Sequence, residues 1–127
     1  MDENLKLDPI VEKMISVAGP VSIDLNDIRP ILDDGEIVTA EASASGDCCI
    51  VNALEILDKN HNIYDARKIA IQIYTNLPEK YPIQNLFDQL NSLNDRIGPD
   101  TFIIWGLSID KSLDDDVKVA VVASGLK

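Results

Sequence analysis

Two aspartates that stand three residues apart are the side chains in this sequence best suited to chemistry. Asp24 and Asp27 lie in the segment Gly19–Arg29, GPVSIDLNDIR. Aspartate is ionised at neutral pH, and a positioned carboxylate can orient an attacking water, which is typically worth about 10²–10⁴-fold in rate. The same spacing suits a helix start, with an N-cap aspartate and a second acid near the positive end of the helix dipole. Both roles, catalytic and structural, are compatible with these residues.

The other potentially reactive side chains have simpler explanations. Cys48 and Cys49 are the only cysteines; a nearby helix N-terminus would lower a thiol pKa, but one buried and one partly exposed thiol is the plainer expectation. His61 stands between two asparagines and is expected to be a solvated loop residue. The three carboxylates of 114–116 cannot converge on one metal ion from an extended chain, so we expect an acidic turn there and no metal site.

Charge and composition exclude several classes of partner. The 127 residues include 22 acidic and 11 basic side chains, a formal charge of −11, and this potential repels nucleic acids and anionic membrane surfaces. No apolar run reaches the roughly 20 residues that span a bilayer, so membrane insertion is not expected. Two adjacent cysteines do not make a disulfide framework, which favours a reducing, cytoplasmic location.

Apolar periodicity predicts the elements that position these residues. Helices are predicted at 9–18, about 25–33, about 46–58 and 83–97, and strands at 36–43, 66–75, 101–109 and 117–124. The near-continuous apolar run at 101–109 is typical of an interior strand, in which Trp105 would pack in the core or at a domain interface. Pro30 constrains the second helix: with Asp24 as its cap the proline would break a backbone bond, whereas Asp27 as cap places it in the first turn. We therefore expect a short or irregular helix that ends at Gly35.

The order of these elements predicts a single α/β domain over residues 1–127. Strand-helix-strand connections favour parallel strands joined by right-handed crossovers, whereas the short loop between the last two strands favours an antiparallel pair. The predicted fold is a two-layer α/β (α+β) sandwich. Its four-stranded mixed sheet would carry two main helices, 46–58 and 83–97, on one face, with a short connecting helix before it.

Four segments, in this order and spacing, resemble the C-terminal domain of the FtsZ/tubulin family over about 10–127. Gly19–Arg29 resembles the family's synergy loop, with its pattern Asn-x-Asp-x-x-Asp after a glycine-containing turn. Ala42–Asp47 is similar to the strand-to-helix turn Ala-Ser-Gly-Glu-Asp. Phe102–Asp110 resembles the third strand, an apolar run that ends in Gly-x-x-x-Asp, and Val117–Gly125 is similar to the final strand, Arg-Val-Thr-Val-Val-Ala-Thr-Gly.

The resemblance implies a role in a GTP-dependent cell-division filament. In the family, GTP binds to one subunit's nucleotide-binding domain, and the C-terminal domain of the next subunit brings its synergy loop to the γ-phosphate. Carried over, the water-orienting residues are Asp24 and Asp27, acting in trans, and Ser22 stands at the family's Asn position. Helix 9–18 corresponds to the end of the inter-domain helix, and residues 19–29 to the synergy loop.

The 127 residues contain no loop that would hold a nucleotide. Phosphate is held by glycine-rich backbone N–H groups or a helix N-terminus, but the six glycines are scattered and form no P-loop, no G-x-G-x-x-G and no Gly-Gly-Gly-Thr-Gly run. We therefore expect no cofactor and no enzyme activity from this chain alone, with GTP on a partner subunit. Its partner would be an FtsZ-like nucleotide-binding domain or filament, and a homodimer is a further possibility.

Two other functions stay open on the sequence. One is a stand-alone small-molecule-binding or enzymatic α/β domain, which a closed concave pocket lined by polar groups would favour. The other is a protein-interaction domain that shares the fold without a catalytic role, since Ser22 and Pro30 depart from the family pattern.

Overall fold

The computed structural model describes residues 9–16, 23–33, 36–46, 49–76, 88–89, 91, 101–114 and 116–125. Its helices are α1 (Pro9–Ser16), α2 (Leu25–Leu32) and α3 (Cys49–His61), and a 3-10 turn covers Ile63–Asp65. Its strands are β1 (Ile37–Ala44), β2 (Lys68–Thr75), β3 (Phe102–Ile109) and β4 (Val117–Ser124). The predicted helix over 83–97 lies almost entirely outside the described residues. Within that range the structure describes only 88–89 and 91, and these are helical.

The four strands form one mixed sheet in the order β1-β4-β2-β3. β4 runs antiparallel to both of its neighbours, and β2 and β3 are parallel. The predicted strand directions are therefore correct, but β4 does not pair with β3: the chain passes over β2 and inserts its last strand between β1 and β2. Seven of the eight residues of β4 are buried, which explains why this apolar strand takes an interior place.

The expectation of an interior strand at 101–109 was wrong for the sheet as described, because β3 is its outer strand. A continuous apolar run reports that both faces of a strand are covered, not that both of its edges are paired. Trp105 accordingly lies on this outer strand, partly buried against the core cluster beneath α3.

Helices cover both faces of the sheet, because the strand period sends alternate side chains to opposite sides. Ile69, Ile71 and Ile73 of β2 pack in the cluster that α3 closes with Ile50, Ala53, Leu54 and Leu57. Ala70 and Tyr74 point the other way, into a second cluster with Val11 and Met14 of α1 and Ile28 and Ile31 of α2. No helix among the described residues is long and apolar enough to cross a bilayer.

Helix α2 begins at Leu25, as the predicted range 25–33 has it, but it uses the Asp24 cap that Pro30 was expected to disfavour and accommodates the proline in its interior. Its N-cap is Asp24, not Asp27, and the helix ends at Leu32, where the Asp33 N–H donates to the Arg29 carbonyl at 2.9 Å. A proline at this depth leaves one carbonyl without its helical N–H partner. Strong capping at the start and the complete burial of Ile28 and Ile31 outweigh that loss.

Replacing Pro30 by alanine should therefore stabilise the protein. Proline is disfavoured in a helix interior by roughly 3 kcal/mol relative to alanine, of which about 0.4–1 kcal/mol is offset because proline also restricts the unfolded chain. We expect Pro30→Ala to raise the free energy of unfolding by about 2–2.6 kcal/mol in urea denaturation. Arg29→Ala, at the exposed neighbouring position, is the control and should change it little. A lower urea midpoint for Pro30→Ala would contradict this explanation of α2.

Candidate functional site

Asp24 and Asp27 hold each other in a reciprocal capping box at the start of α2. The backbone of Asp24 is extended, with φ −105° and ψ 174°. The Asp27 N–H donates to Asp24 Oδ1 at 2.9 Å, and the Asp24 N–H donates to Asp27 Oδ2 at 3.2 Å. Each carboxylate thus accepts from a backbone N–H in the first turn, where regular helical partners are lacking, and the Asp27 N–H also donates to the Asp24 carbonyl at 3.1 Å. The capping role considered for this pair is confirmed, with Asp27 at the third helical position.

Apolar residues on either side of the box anchor it to the core. Ile23 precedes the cap and Ile28 follows in the first turn, and both belong to the buried cluster under α1 and α2. This placement is the hydrophobic staple, in which the residue before the cap and the fourth helical residue fix the angle of chain entry. The turn is therefore anchored to the core by its two isoleucines, while the side chains of Asp24 and Asp27 are exposed to solvent.

One oxygen of each carboxylate stays outside the capping box. Asp24 Oδ2 and Asp27 Oδ1 have no hydrogen-bond partner among the residues that the structure describes. An ionised carboxylate is an acceptor with several lone-pair directions, so these two oxygens can accept from a water molecule while the box stays closed. The arrangement gives two outward acceptors on a short segment whose backbone is already fixed. Ser22, the third predicted member of the site, lies outside the described residues.

The other candidate residues have structural roles. Cys49 is fully buried, and burial raises the pKa of its thiol, so the lowering expected from a helix N-terminus does not prevail; Cys48 lies outside the described residues. His61 is exposed, as predicted, but it is the last residue of α3 and not a loop residue. In the acidic turn, Asp116 accepts from the Gly46 N–H at 3.1 Å, and its own N–H donates to Ser45 Oγ at 3.0 Å.

A second polar group was missed by sequence reasoning. The ring of Tyr74 on β2 lies close to the ammonium groups of Lys13 on α1 and Lys118 on β4, with Nζ to ring-centroid distances of 4.8 and 5.5 Å. The alternation of residues along β2 could have predicted that Tyr74 faces the core. Its two lysine partners come from elements far apart in sequence, and only the insertion of β4 beside β2 brings Lys118 opposite the tyrosine.

The fold is shared with solved structures of FtsZ and CetZ. An FtsZ dimer from M. jannaschii superposes with a TM-score of 0.71 at 21% identity, covering 91% of this chain and 34% of that one. CetZ from Methanosaeta thermophila gives a TM-score of 0.66 at 18% identity, covering 90% and 33% of the two chains. At these identities the likeness concerns the fold.

Sequence relatives agree with the fold. The cell division protein FtsZ 1 of Halobacterium salinarum is 26% identical over 121 residues, which are 91% of this chain and 30% of the relative. FtsZ of Porphyromonas gingivalis is 28% identical over 121 residues, covering 91% and 26%. No family model matches the chain. The chain is similar to the C-terminal part of FtsZ/tubulin-family proteins, as the resemblance predicted, and it spans about a quarter to a third of the length of these two relatives.

The capping box makes a prediction about stability that separates the cap from the charge. Replacing an N-cap aspartate by alanine typically costs about 1 kcal/mol, whereas asparagine caps as well as aspartate. We therefore expect Asp24→Ala to lower the free energy of unfolding by about that amount in urea denaturation, and Asp24→Asn to leave it nearly unchanged. Equal losses in the two variants would mean that the negative charge, and not the hydrogen bond to Asp27 N–H, stabilises the turn.

Proposed function

We propose that this chain docks against the GTP site of a neighbouring FtsZ-like subunit in a cytoplasmic cell-division filament, and that Asp24 and Asp27 promote hydrolysis there in trans. The observation that carries the proposal is the pair of outward, exposed carboxylate oxygens on a turn fixed by its own capping box. The family relationship supports the role, since the relatives of this chain are cell division proteins. GTP would be bound by the partner.

The carboxylates would act by orienting water, not by binding phosphate. Both accept hydrogen bonds and carry negative charge, so they repel a phosphate but attract the protons of a water molecule placed between them and the γ-phosphorus. As the bond between the γ-phosphorus and the oxygen of the leaving GDP breaks, the proton that the water loses would pass to the Asp24 or Asp27 carboxylate. Because the capping box fixes the two side chains before docking, little further ordering is needed, and positioning of this kind is typically worth about 10²–10⁴-fold in rate.

A docking domain without chemistry is the competing function. The same turn would then be only a helix cap within a contact surface, and neutral side chains at the two positions would serve equally well. Self-association of this chain is a further possibility within this proposal. The two functions differ in one property, the need for negative charge at 24 and 27, and that property can be varied without breaking the cap.

The decisive experiment is GTP turnover by full-length FtsZ from M. jannaschii as this chain is titrated in. We expect the wild-type chain to raise the rate of phosphate release. The variant Asp24→Asn with Asp27→Asn keeps an oxygen acceptor at each capping position but removes both charges, and it should lose most of the stimulation, at least about tenfold.

A matched control removes the same two charges elsewhere. Asp33→Asn with Glu36→Gln changes two exposed acids just beyond the other end of α2 and should stimulate turnover like the wild type. If both double variants stimulate equally, the chain docks without chemistry. If no form of the chain changes turnover, and none co-sediments with filaments, the trans-acting role is wrong altogether.

A further inference from the structure

Helix α2 carries a proline in the middle of its solvent-facing side. Asn26, Arg29 and Pro30 stand at i, i+3 and i+4, a spacing that places residues on one face of a helix, and all three are exposed. Ile28 and Ile31, on the other side of the helix, are completely buried. We call the exposed set Asn26, Arg29 and Pro30 the proline face of α2. It follows the aspartate turn directly and takes no part in the chemistry proposed above.

Pro30 leaves a backbone acceptor open on the proline face. A proline has no N–H, so the Asn26 carbonyl lacks the helical donor that residue 30 would otherwise supply, and the proline ring crowds that carbonyl. A helical carbonyl points along the axis toward the residue four positions on, so this oxygen lies between two exposed residues. Among the residues that the structure describes, no side chain donates a hydrogen bond to it.

The following turn of the same helix shows what kind of donor suits such a carbonyl. The Pro30 carbonyl accepts from Lys68 Nζ at 3.1 Å, so an ammonium group of β2 satisfies an acceptor near the end of α2. Hydrogen bonds from charged donors are stronger than those between neutral groups. The Asn26 carbonyl is the same chemical group one turn earlier, and its donor would have to come from another molecule.

The proline costs the domain stability without a visible structural return. Its side chain is exposed, so it adds little to the core, and replacing it by alanine is expected to stabilise the protein. The burial of Ile28 and Ile31 lets the helix tolerate the proline but gives no reason for its presence. Natural sequences break such local rules mainly at functional sites. In α2 the result of breaking the rule is the open Asn26 acceptor.

We propose that the Asn26 carbonyl accepts a hydrogen bond from a lysine or arginine side chain on the nucleotide-binding domain of the neighbouring FtsZ-like subunit. This inference rests on the proposed function, because it adds a second contact to the same interface, next to the aspartates. A cationic donor gains more there than a neutral one, since Asp24 and Asp27 carry exposed negative charges beside Asn26 and the whole chain carries −11. Arg29 carries the opposing charge on the proline face.

The test is binding of the 127-residue chain, labelled with a fluorophore at its N-terminus, to filaments of full-length FtsZ from M. jannaschii assembled with a non-hydrolysable GTP analogue. Pro30→Ala restores the N–H that closes the helical bond to the Asn26 carbonyl, so we expect the dissociation constant from fluorescence anisotropy to rise about tenfold. Because the same variant is expected to raise the urea midpoint, unfolding cannot cause this loss. If the wild-type chain does not bind, the proposed function and this inference both fail. If wild type and Pro30→Ala bind equally well, this inference alone fails.

Two further variants separate the hydrogen bond from the loss of the proline ring. Pro30→Leu restores the same N–H but keeps an apolar side chain, so it should bind as weakly as Pro30→Ala. Binding of Pro30→Leu equal to that of the wild type would mean that apolar surface, and not the carbonyl, makes the contact. Pro9→Ala is the matched control: it removes an exposed proline at the first position of α1, where no helical N–H is needed, and should bind like the wild type.

The sign of the partner's charge is tested by Arg29→Ala. A cationic donor is repelled by the Arg29 guanidinium, so the dissociation constant of this variant should be equal to or below that of the wild type. A rise of about tenfold would mean that Arg29 pairs with an acid of the partner, and it would overturn the assignment of a cationic donor.

Discussion

The insertion of the last strand between β1 and β2 is the constraint on which the rest of this structure depends. β4 is paired along both edges, and nearly all of it is buried, so the sheet must be covered on both faces. α3 covers one, and α1 and α2 cover the other. Polar ties secure the start of β4: Thr75 Oγ1 donates to the Asp116 carbonyl at 3.1 Å, and Ser45 Oγ accepts from the Asp116 N–H. The aspartate turn lies on the face that this arrangement leaves to the short helices.

At the aspartate turn, structural and chemical requirements coincide in the same atoms. A helix start needs acceptors for its first N–H groups, and carboxylates supply them with one oxygen each. The second oxygen of each carboxylate is left to accept from a water molecule. Its direction is already fixed, because the first oxygen is held in the capping box. The local energetic cost of Pro30 is tolerated in the same helix because Ile28 and Ile31 lock it onto the sheet. A catalytic role and a capping role therefore require the same residues in this segment. Only variants that remove the charge and keep the hydrogen bonds can distinguish the two roles.

Much of the fold could be predicted from local rules, and the failures share a physical cause. Helix α3 was predicted from an apolar stripe at helical spacing, formed by Ile50, Ala53, Leu54 and Leu57. Strand β2 was predicted from its alternating isoleucines. Both predictions succeeded because the spacing of apolar residues indicates which face of an element is buried. The spacing of apolar residues does not indicate which strands are hydrogen-bonded neighbours. For that reason β3 was expected in the interior of the sheet, with β4 paired to it. The argument from Pro30 favoured Asp27 over Asp24 as the cap, because it weighed the cost of the proline without the tertiary burial that offsets it. The aspartate pair was found because its chemistry is local. The group around Tyr74 was missed because its members meet only through the strand order.

The central claim is that the aspartate turn is the surface that meets a nucleotide-loaded partner. It is tested most directly by NMR of the isotope-labelled chain mixed with unlabelled full-length FtsZ in the presence of a non-hydrolysable GTP analogue. Selective loss of the amide signals of residues 23–29, dependent on the analogue and with α3 unaffected, is the predicted result. Signal loss centred on α3 or the outer edge of β3, or loss that is the same without nucleotide, would contradict it and assign the turn a purely structural role.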